Sequence, residues 1–379
     1  MSVQVVRVTS ARDLRRFVDL PWRIHDRQAH PQWVPPLRVA VRDALDRRGN
    51  PFYRRAEREL FLCLRNGRAV GRIAAILNPA HNDFHGDRAG FFGFFECVDD
   101  PDVATALFGA ARSWLAARGM DRVLGPVNPS TNHDCGLLVD GFEHHPTFMT
   151  PWNPPYYAEM LAGAGFAPER DLLGYHMSVA DGFAVPERFE RLARRAMDRG
   201  SIAFRSLDLG RFREEIDTCW DIYNSAWEKN WGFVPFSREE FNHMAKDLKH
   251  LLHPDFAFIA EVDGEPAGFM LILLDYNHIL KKIGNGRLFP FGIIRLLLGK
   301  KKLRSGRVMA LGVKEQYRTR SIFPLFAWEA YRRGLELGVL EGEASWILED
   351  NEAMNKPMRA MGARLYRRWR IFGSEAVKP

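Results

Sequence analysis

Two apolar runs in residues 59–77, "ELFLCLRNGRAVGRIAAIL", are separated by polar positions at Arg65 to Arg68 around Asn66-Gly67. Short apolar runs interrupted by Asn-Gly predict two antiparallel strands joined by a tight hairpin. The same plan returns at 255–274, "DFAFIAEVDGEPAGFMLILL", with its turn at Asp263-Gly264. Each hairpin is followed by a further strand, "GFFGFFECV" (90–98) or "RVMALGV" (307–313). A helical run comes next, "DVATALFGAARSWLAARG" (102–119) or "SIFPLFAWEAYRRGLELG" (321–338), ending at a glycine suited to a left-handed cap. Short helices closing in "AGAGF" (162–166) and "RAMGA" (359–363) complete the two copies.

Gly67 and Gly264 lie 197 residues apart, as do Gly71 and Gly268, and Gly165 and Gly362. The glycines ending the two long helices lie 219 apart. The offset therefore grows by 22 and shrinks again by 22, so each half carries its own insertion. The first lies within 120–164 and contains "GPVNPSTNHDCGLLVDGFEHHPTFMTPWNPPYY"; the second lies within 275–306. With 379 residues, two domains are expected, 1–180 and 181–379, the latter carrying a basic-apolar insert at 276–306. The fold class expected is mixed α/β (α+β), each half a central mixed sheet flanked by helices. The repeated scaffold is structural, and the insertions are where specialised function is expected.

Composition adds less than the placement of charge. Hydrophobic residues make up 46% and charged residues 27%, an ordinary globular balance. Cys63, Cys97, Cys135 and Cys219 have no paired spacing, so neither a disulfide framework nor a metal site is expected, and a reducing cytoplasm fits. The opening "MSVQVVRVTSARDLRRF" lacks a secretory pattern. No run approaches the roughly 18 apolar residues of a membrane-spanning helix, so the chain is expected to touch a membrane without crossing it. Net charge is +7, yet Tyr276 to Lys314 holds ten Lys/Arg and no Asp or Glu, which leaves the remainder at about −3.

That basic segment encloses "KKIGNGRLFPFGIIRLLLGKKKLR" (281–304). One reading is a membrane-surface element, with Phe289, Phe291, Ile293 and Leu297 in the interface and lysines toward anionic headgroups. It implies a cytoplasmic protein peripheral to the inner face of the membrane. A second reading is a lid over an acyl chain, and a third is a buried helical hairpin with solvated lysine caps. The apolar centre lacks the polar side chains that read bases, so no nucleic-acid partner is expected from it.

Hairpin, central strand, long helix, a strand ending in "LEDN" and a short helix ending in glycine is the order of the GNAT acyltransferase fold, and the chain resembles a tandem pair of such domains. The resemblance implies acyl-CoA as co-substrate, its pyrophosphate held by a loop of form Arg/Gln-x-x-Gly-x-Gly/Ala at the start of the long helix. There, unpaired N–H groups and the helix dipole face the anion. In the second half this place reads "YRTRSIF": Arg318 matches, while Ser321 and Phe323 replace the glycines. Arg318, Arg320 and Ser321 are the implied pyrophosphate site. The main chain of Leu311 and Val313 is implied to meet the pantetheine arm and polarise the thioester carbonyl, and Asn351 matches the Asn that opens the final region. In the first half "DDPDVA" puts Asp99, Asp100 and Asp102 at the helix start, which repels a pyrophosphate or simply caps the helix. The tyrosine that often serves as acid toward the thiolate is replaced by Met358 and Leu161. "GPVNPSTNHDCG" and "PWNPPYY" extend the resemblance to the tandem GNAT-like proteins that include bacterial ceramide synthases. These move a fatty acyl group from acyl-CoA to the amine of a long-chain base, which implies a long-chain acyl-CoA and a lipid amine as partners.

Acylating an amine requires a free amine, a polarised carbonyl and a route for protons. His133 is a candidate base, with a loop histidine bonded for structure as the alternative. Asp134 is a candidate orienter of a base or binder of the ammonium, or else part of an Asx turn. Glu96 is a carboxylate on an apolar strand, where alternation places it on the face of Phe92 and Phe94; it is costly to bury unless paired. Cys135 beside His133 would permit a covalent route, whereas the resemblance implies direct transfer. Asn132, Trp152, Tyr156 and Tyr157 are read as substrate-cleft or core residues. Two other functions fit the pattern: a tandem GNAT-fold transferase taking its acyl group from charged tRNA on the basic segment, and a non-catalytic membrane-binding protein.

Overall fold

The computed structural model describes residues 3–26, 28–198, 200 and 202–376. The chain forms two compact units, one of Met1–Leu172, Asn277–Lys300 and Arg367–Pro379, the other of Leu173–Tyr276 and Lys301–Tyr366. The division therefore falls at 172/173 rather than 180/181, and the second half's insertion belongs with the first unit. The reason is local bonding. Ile279, Leu280 and Ile283 are buried. Trp22 Nε1 donates to Gly284 O at 2.9 Å, Arg38 N to Gly286 O at 2.9 Å, and Asn277 Nδ2 to Pro146 O at 2.7 Å. The last strand joins the same unit by antiparallel pairing of Phe372–Glu375 with Arg122–Gly125.

In the first unit Gln4–Arg7, Glu57–Arg65, Arg68–Leu77 and Ala89–Cys97 form an antiparallel run. The hairpin turns through Asn66 (φ 49°) and Gly67 (φ 72°), the left-handed pair that the Asn-Gly signal predicts. Helix Pro101–Ala116 then crosses over, and Arg122–Gly125 returns parallel to the central strand. Asp100 caps this helix by accepting from Asp102 N. Its apolar face packs on the sheet, with Phe95 stacked on Phe108 at 4.7 Å between ring centroids.

The second unit repeats the plan. Ile202–Ser206, Ala257–Val262, Glu265–Leu274 and Ser305–Val313 pair antiparallel, with the hairpin at Asp263 (φ 53°) and Gly264 (φ 84°). Helix Ile322–Leu337 crosses over to Glu341–Leu348, parallel to the central strand. Its C-cap is Gly338 in the left-handed conformation.

Each central strand carries a one-residue bulge. In the first unit Arg72 faces Glu96 and Ala74 faces Gly93; in the second Leu271 faces Ala310 and Ile272 faces Val308. The first bulge includes Phe94 at φ 50°. It reverses the alternation, so Phe92, Phe95 and Cys97 join the core under the long helix. Glu96 is thereby placed on the opposite face from Phe92, contrary to the alternation expected from sequence.

Candidate functional site

The parallel strand pairs diverge in both units, with opposite results. In the first, recorded pairing stops at Phe91 with Leu124. The space beyond is filled by the protein's own chain. Phe94 N donates to Asn128 Oδ1 at 2.6 Å, and a Cβ on Gly93 would lie 1.7 Å from Val127 O. In the second unit pairing stops at Val308 with Ala344, and a cleft opens between the strand ends. Leu311, Gly312, Val313, Arg318, Ser345, Trp346 and Asn351 line it. Gly312 allows Trp227 to pack on the strand, since a Cβ there would lie 2.1 Å from the indole.

Of the residues expected to hold acyl-CoA, Leu311, Val313, Arg318 and Asn351 therefore share one cleft. Arg318 is anchored, donating from its guanidinium to Val313 O at 3.4 Å and Ala226 O at 3.1 Å. Ser321 stands just before the helix in the left-handed conformation (φ 62°) that glycine adopts most readily. The turn keeps a glycine-loop conformation although its glycines are gone. Arg320 is exposed on the same turn. Asn351 accepts from Met354 N and starts the last helix.

The cleft also borders a polar network that the sequence reading missed. Arg307 and Glu343 face each other in register. Ser345 Oγ donates to Glu343 Oε1 at 2.5 Å and accepts from Arg307 Nε at 2.9 Å, and Tyr366 OH donates to Glu343. Arg307, Glu343 and Ser345 are all buried. "EGEASWIL" reads as an alternating edge strand, so only a basic partner on the neighbouring strand could have marked these residues.

The first unit holds a second titratable centre around Glu96. His25 Nε2 lies 2.7 Å from Glu96 Oε2, Tyr157 OH donates to that oxygen at 2.9 Å, and an Arg72 guanidinium nitrogen lies 3.6 Å from Oε1. Arg72 is fixed by donating to Phe17 O at 2.7 Å. Burial pushes the Glu96 carboxyl up, but His25, Arg72 and Tyr157 together outweigh it and hold the group below its ordinary range. Burial, then Glu96, raises the Tyr157 phenol well above its usual value, so it stays a donor. The Glu96 side chain keeps 16% exposure against 1% for His25, so the carboxylate edge is what solvent can reach. His25 is enclosed by Trp33, Trp152 and His30. His30 Nδ1 lies 3.4 Å from His25 Nδ1, and burial, followed by His25, lowers its pKa. Neither histidine was a sequence candidate; both lie in an irregular segment without a motif.

The other expected catalytic residues are placed differently. His133 Nδ1 lies 2.8 Å from Ser130 Oγ, within the turn that also bonds Asn132 N. Asp134 sits on a two-residue strand opposite Asn128. His133 is thus held in a turn with Ser130, and Asp134 in a short strand pairing. Cys135 is buried. Tyr156 OH donates to Cys97 O at 2.9 Å and Trp152 Nε1 to Phe142 O at 3.2 Å, which makes both wall residues of the Glu96 region.

The insertion is a helical hairpin, Asn277–Ile283 and Phe291–Gly299. Phe289, Phe291, Leu297 and Leu298 are 65–71% exposed and Ile294 is 51% exposed. Ile293, expected on this face, is half-buried; one position of helical rotation puts Ile294 outward instead. Beside the apolar tip, Arg15, Arg38, Arg42 and Arg287 line a surface pocket with Leu288 and Phe289. Burial and repulsion from Arg287 and Arg42 lower the Arg38 pKa. Among the described residues no helix is long and apolar enough to cross a membrane.

Comparison with known proteins bears on both units. No protein-family profile matches the chain. It is 35% identical over 377 residues to a bacterial ceramide synthase of Caulobacter vibrioides (strain NA1000 / CB15N), covering 98% of this chain and 97% of that protein. It is 34% identical over 368 residues to the protein YghO of Escherichia coli K12, covering 95% and 92%. Among solved structures, a tandem GNAT protein from the clavulanic acid biosynthesis pathway superposes with a TM-score of 0.60 at 14% identity, covering 100% of both chains. A GCN5-related N-acetyltransferase from Sphaerobacter thermophilus gives 0.52 at 14% identity, covering 100% and 96%. At such identities the structures speak for the tandem fold alone.

Proposed function

The chain belongs to the family of the bacterial ceramide synthase, and on that premise we propose that it is an N-acyltransferase moving a fatty acyl group from acyl-CoA to the amine of a long-chain lipid base. The observation that carries the donor assignment is the contrast between the two strand gaps. Val127 and Asn128 fill the first, whereas the second is an open cleft ending at Arg318. The donor's pantetheine arm lies along Leu311–Val313 in the second unit, and its pyrophosphate meets Arg318, Arg320 and the N–H groups of the long helix.

In the reaction the amine nitrogen forms a bond to the thioester carbonyl carbon, and the carbon–sulfur bond breaks. CoA leaves as thiolate and is protonated, and the amine loses one proton. Glu96 with His25 is the proton acceptor assigned here, because the carboxylate is ionisable, held by His25, Tyr157 and Arg72, and open to solvent at its edge. His133 is the alternative proton acceptor, with Asp134 as orienter of a base or binder of the substrate ammonium.

A lipid acceptor is favoured by the way segment 22–38 is used. It supplies His25 to Glu96, and it also anchors the apolar hairpin through Trp22 and Arg38. The proton acceptor and the exposed apolar tip thus hang on one stretch of chain. Phe291, Ile294, Leu297 and Leu298 enter the interface of an anionic membrane, and Arg15, Arg42 and Arg287 meet its headgroups, while Arg38 is paired with Asp19.

The test is thiol release. Purified protein incubated with palmitoyl-CoA and a sphingoid base is expected to liberate CoA above the rate without amine. Release that ignores the amine, across several chain lengths and long-chain amines, rules the proposal out. No thiol release from acyl-CoA, together with acylation of the amine from an aminoacylated tRNA that frees tRNA, would favour the tRNA-dependent alternative.

A further inference from the structure

A second space in the second unit is unlike the interior of a well-packed domain. It lies between helix Ile322–Leu337 and the sheet, and its walls are almost wholly apolar. Among the described residues, Glu341 is the one charged residue in its lining. Met177, Phe183, Phe323, Tyr331 and Met354 border it and are only partly buried. Apolar side chains around a core normally close over one another, so these surround space that folding has left unfilled. Five methionines contribute, Met177, Met270, Met354, Met358 and Met361, and their flexible thioethers suit a wall that adapts to its contents.

The space has two ends. Val308, Leu311, Phe323, Ala344 and Met354 line both it and the donor cleft, so the two spaces adjoin where the strands begin to diverge. At the other end Leu335 and Leu340, both in the lining, are each 43% exposed. Apolar lining thus extends from beside the place assigned to the thioester to a leucine rim at the surface.

We propose that this passage is the seat of the donor's fatty acyl chain. The assignment rests on the acyl-CoA reading above and adds what that reading lacks, the residues that select chain length. With the thioester carbonyl held by the main chain near Leu311, the first methylenes pass Phe323, Ala344 and Met354. Later ones run along Ala327, Ala330 and Tyr331, and the chain end reaches Leu335 and Leu340. Met358 acquires a role here, as part of the apolar wall. Each methylene fully buried strengthens binding roughly fourfold, so the preference climbs with length until the chain passes the leucine rim. The acceptor's own long tail has the same chemistry, but the wall shared with the donor cleft assigns the passage to the donor.

Two variants fill the middle of the passage, Ala330→Phe and Ala327→Leu, each verified to melt as the parent does. Full-length protein is titrated calorimetrically with palmitoyl-CoA and with CoA, and turnover is followed over a series of acyl-CoA and amine chain lengths. The parent is expected to bind palmitoyl-CoA at least tenfold more tightly than CoA, and the variants to lose most of that difference. The ratio of kcat/KM for palmitoyl-CoA over butyryl-CoA is expected to fall at least tenfold. An unchanged ratio, or a shift in amine chain length in place of acyl chain length, overturns the assignment. Parent protein that releases no thiol from any acyl-CoA would count against the proposed function, while the calorimetric comparison would still judge the passage.

Discussion

A Cβ built on Gly93 would stand 1.7 Å from the carbonyl oxygen of Val127. The contact means that the first unit closes its strand gap with its own main chain. Gly93→Ala is therefore expected to force the two segments apart and destabilise the protein by about 2–3 kcal/mol. Thermal denaturation checks it, and an unshifted melting temperature would mean that the gap is not closed so tightly.

Removing the carboxylate while keeping its shape, Glu96→Gln, is expected to lower kcat by about 10²-fold or more. Tyr157→Phe is expected to cost less, because His25 and Arg72 remain. Equal kcat for Glu96→Gln and parent would remove Glu96 from the chemistry.

His30 is held below its ordinary 6.5 by burial and then by His25. It is therefore neutral at pH 7 and gains its proton only in more acidic solution. Any acid limb of the kcat profile that depends on His30 should lie below pH 6.5 and move in His30→Gln. A limb above pH 7 that vanishes in this variant would contradict the sign.

His81 tests stability. Burial, reinforced by His85, pushes it down to about 4. The unfolded chain takes up this proton near 6.5 while the native protein resists it, so the contribution is full above 6.5 and falls as pH drops from 6.5 toward 4. The loss is on the order of 3 kcal/mol at most. Denaturant titrations of parent and His81→Gln across that window should show a steeper decline in the parent.

Replacing Phe291, Ile294 and Leu297 with Ser is expected to weaken binding to anionic vesicles by 10²-fold or more, since each apolar side chain contributes about 1.5–3 kcal/mol when buried. Ile293→Ser is expected to lower the melting temperature instead, because Ile293 is half-buried. Vesicle sedimentation at two salt concentrations separates the apolar from the ionic part.

Repetition made the fold legible: two hairpins, two long helices and paired glycines at constant offsets describe the shared scaffold without any structure. The insertion defeated the domain reading because its partners, Trp22 and Arg38, are far away in sequence. Period-two reasoning misplaced Glu96 because one bulged residue, Phe94, reverses every face beyond it. Of the cleft, Arg318 is accessible through a loop pattern, Leu311 and Val313 through their place on the central strand, and Asn351 through the Asn that opens the final region. The His25–Glu96 pair and the Arg307–Glu343–Ser345 network were not, since their members meet only through tertiary pairing.

The central claim is that the two matching units have parted in role, the second taking the acyl donor and the first closed to it. Amide hydrogen exchange with and without palmitoyl-CoA measures this directly. Protection is expected at 308–313, 318–325 and 345–351, with 91–97 and 127–136 unchanged. Protection confined to 91–97 and 127–136 would contradict the account.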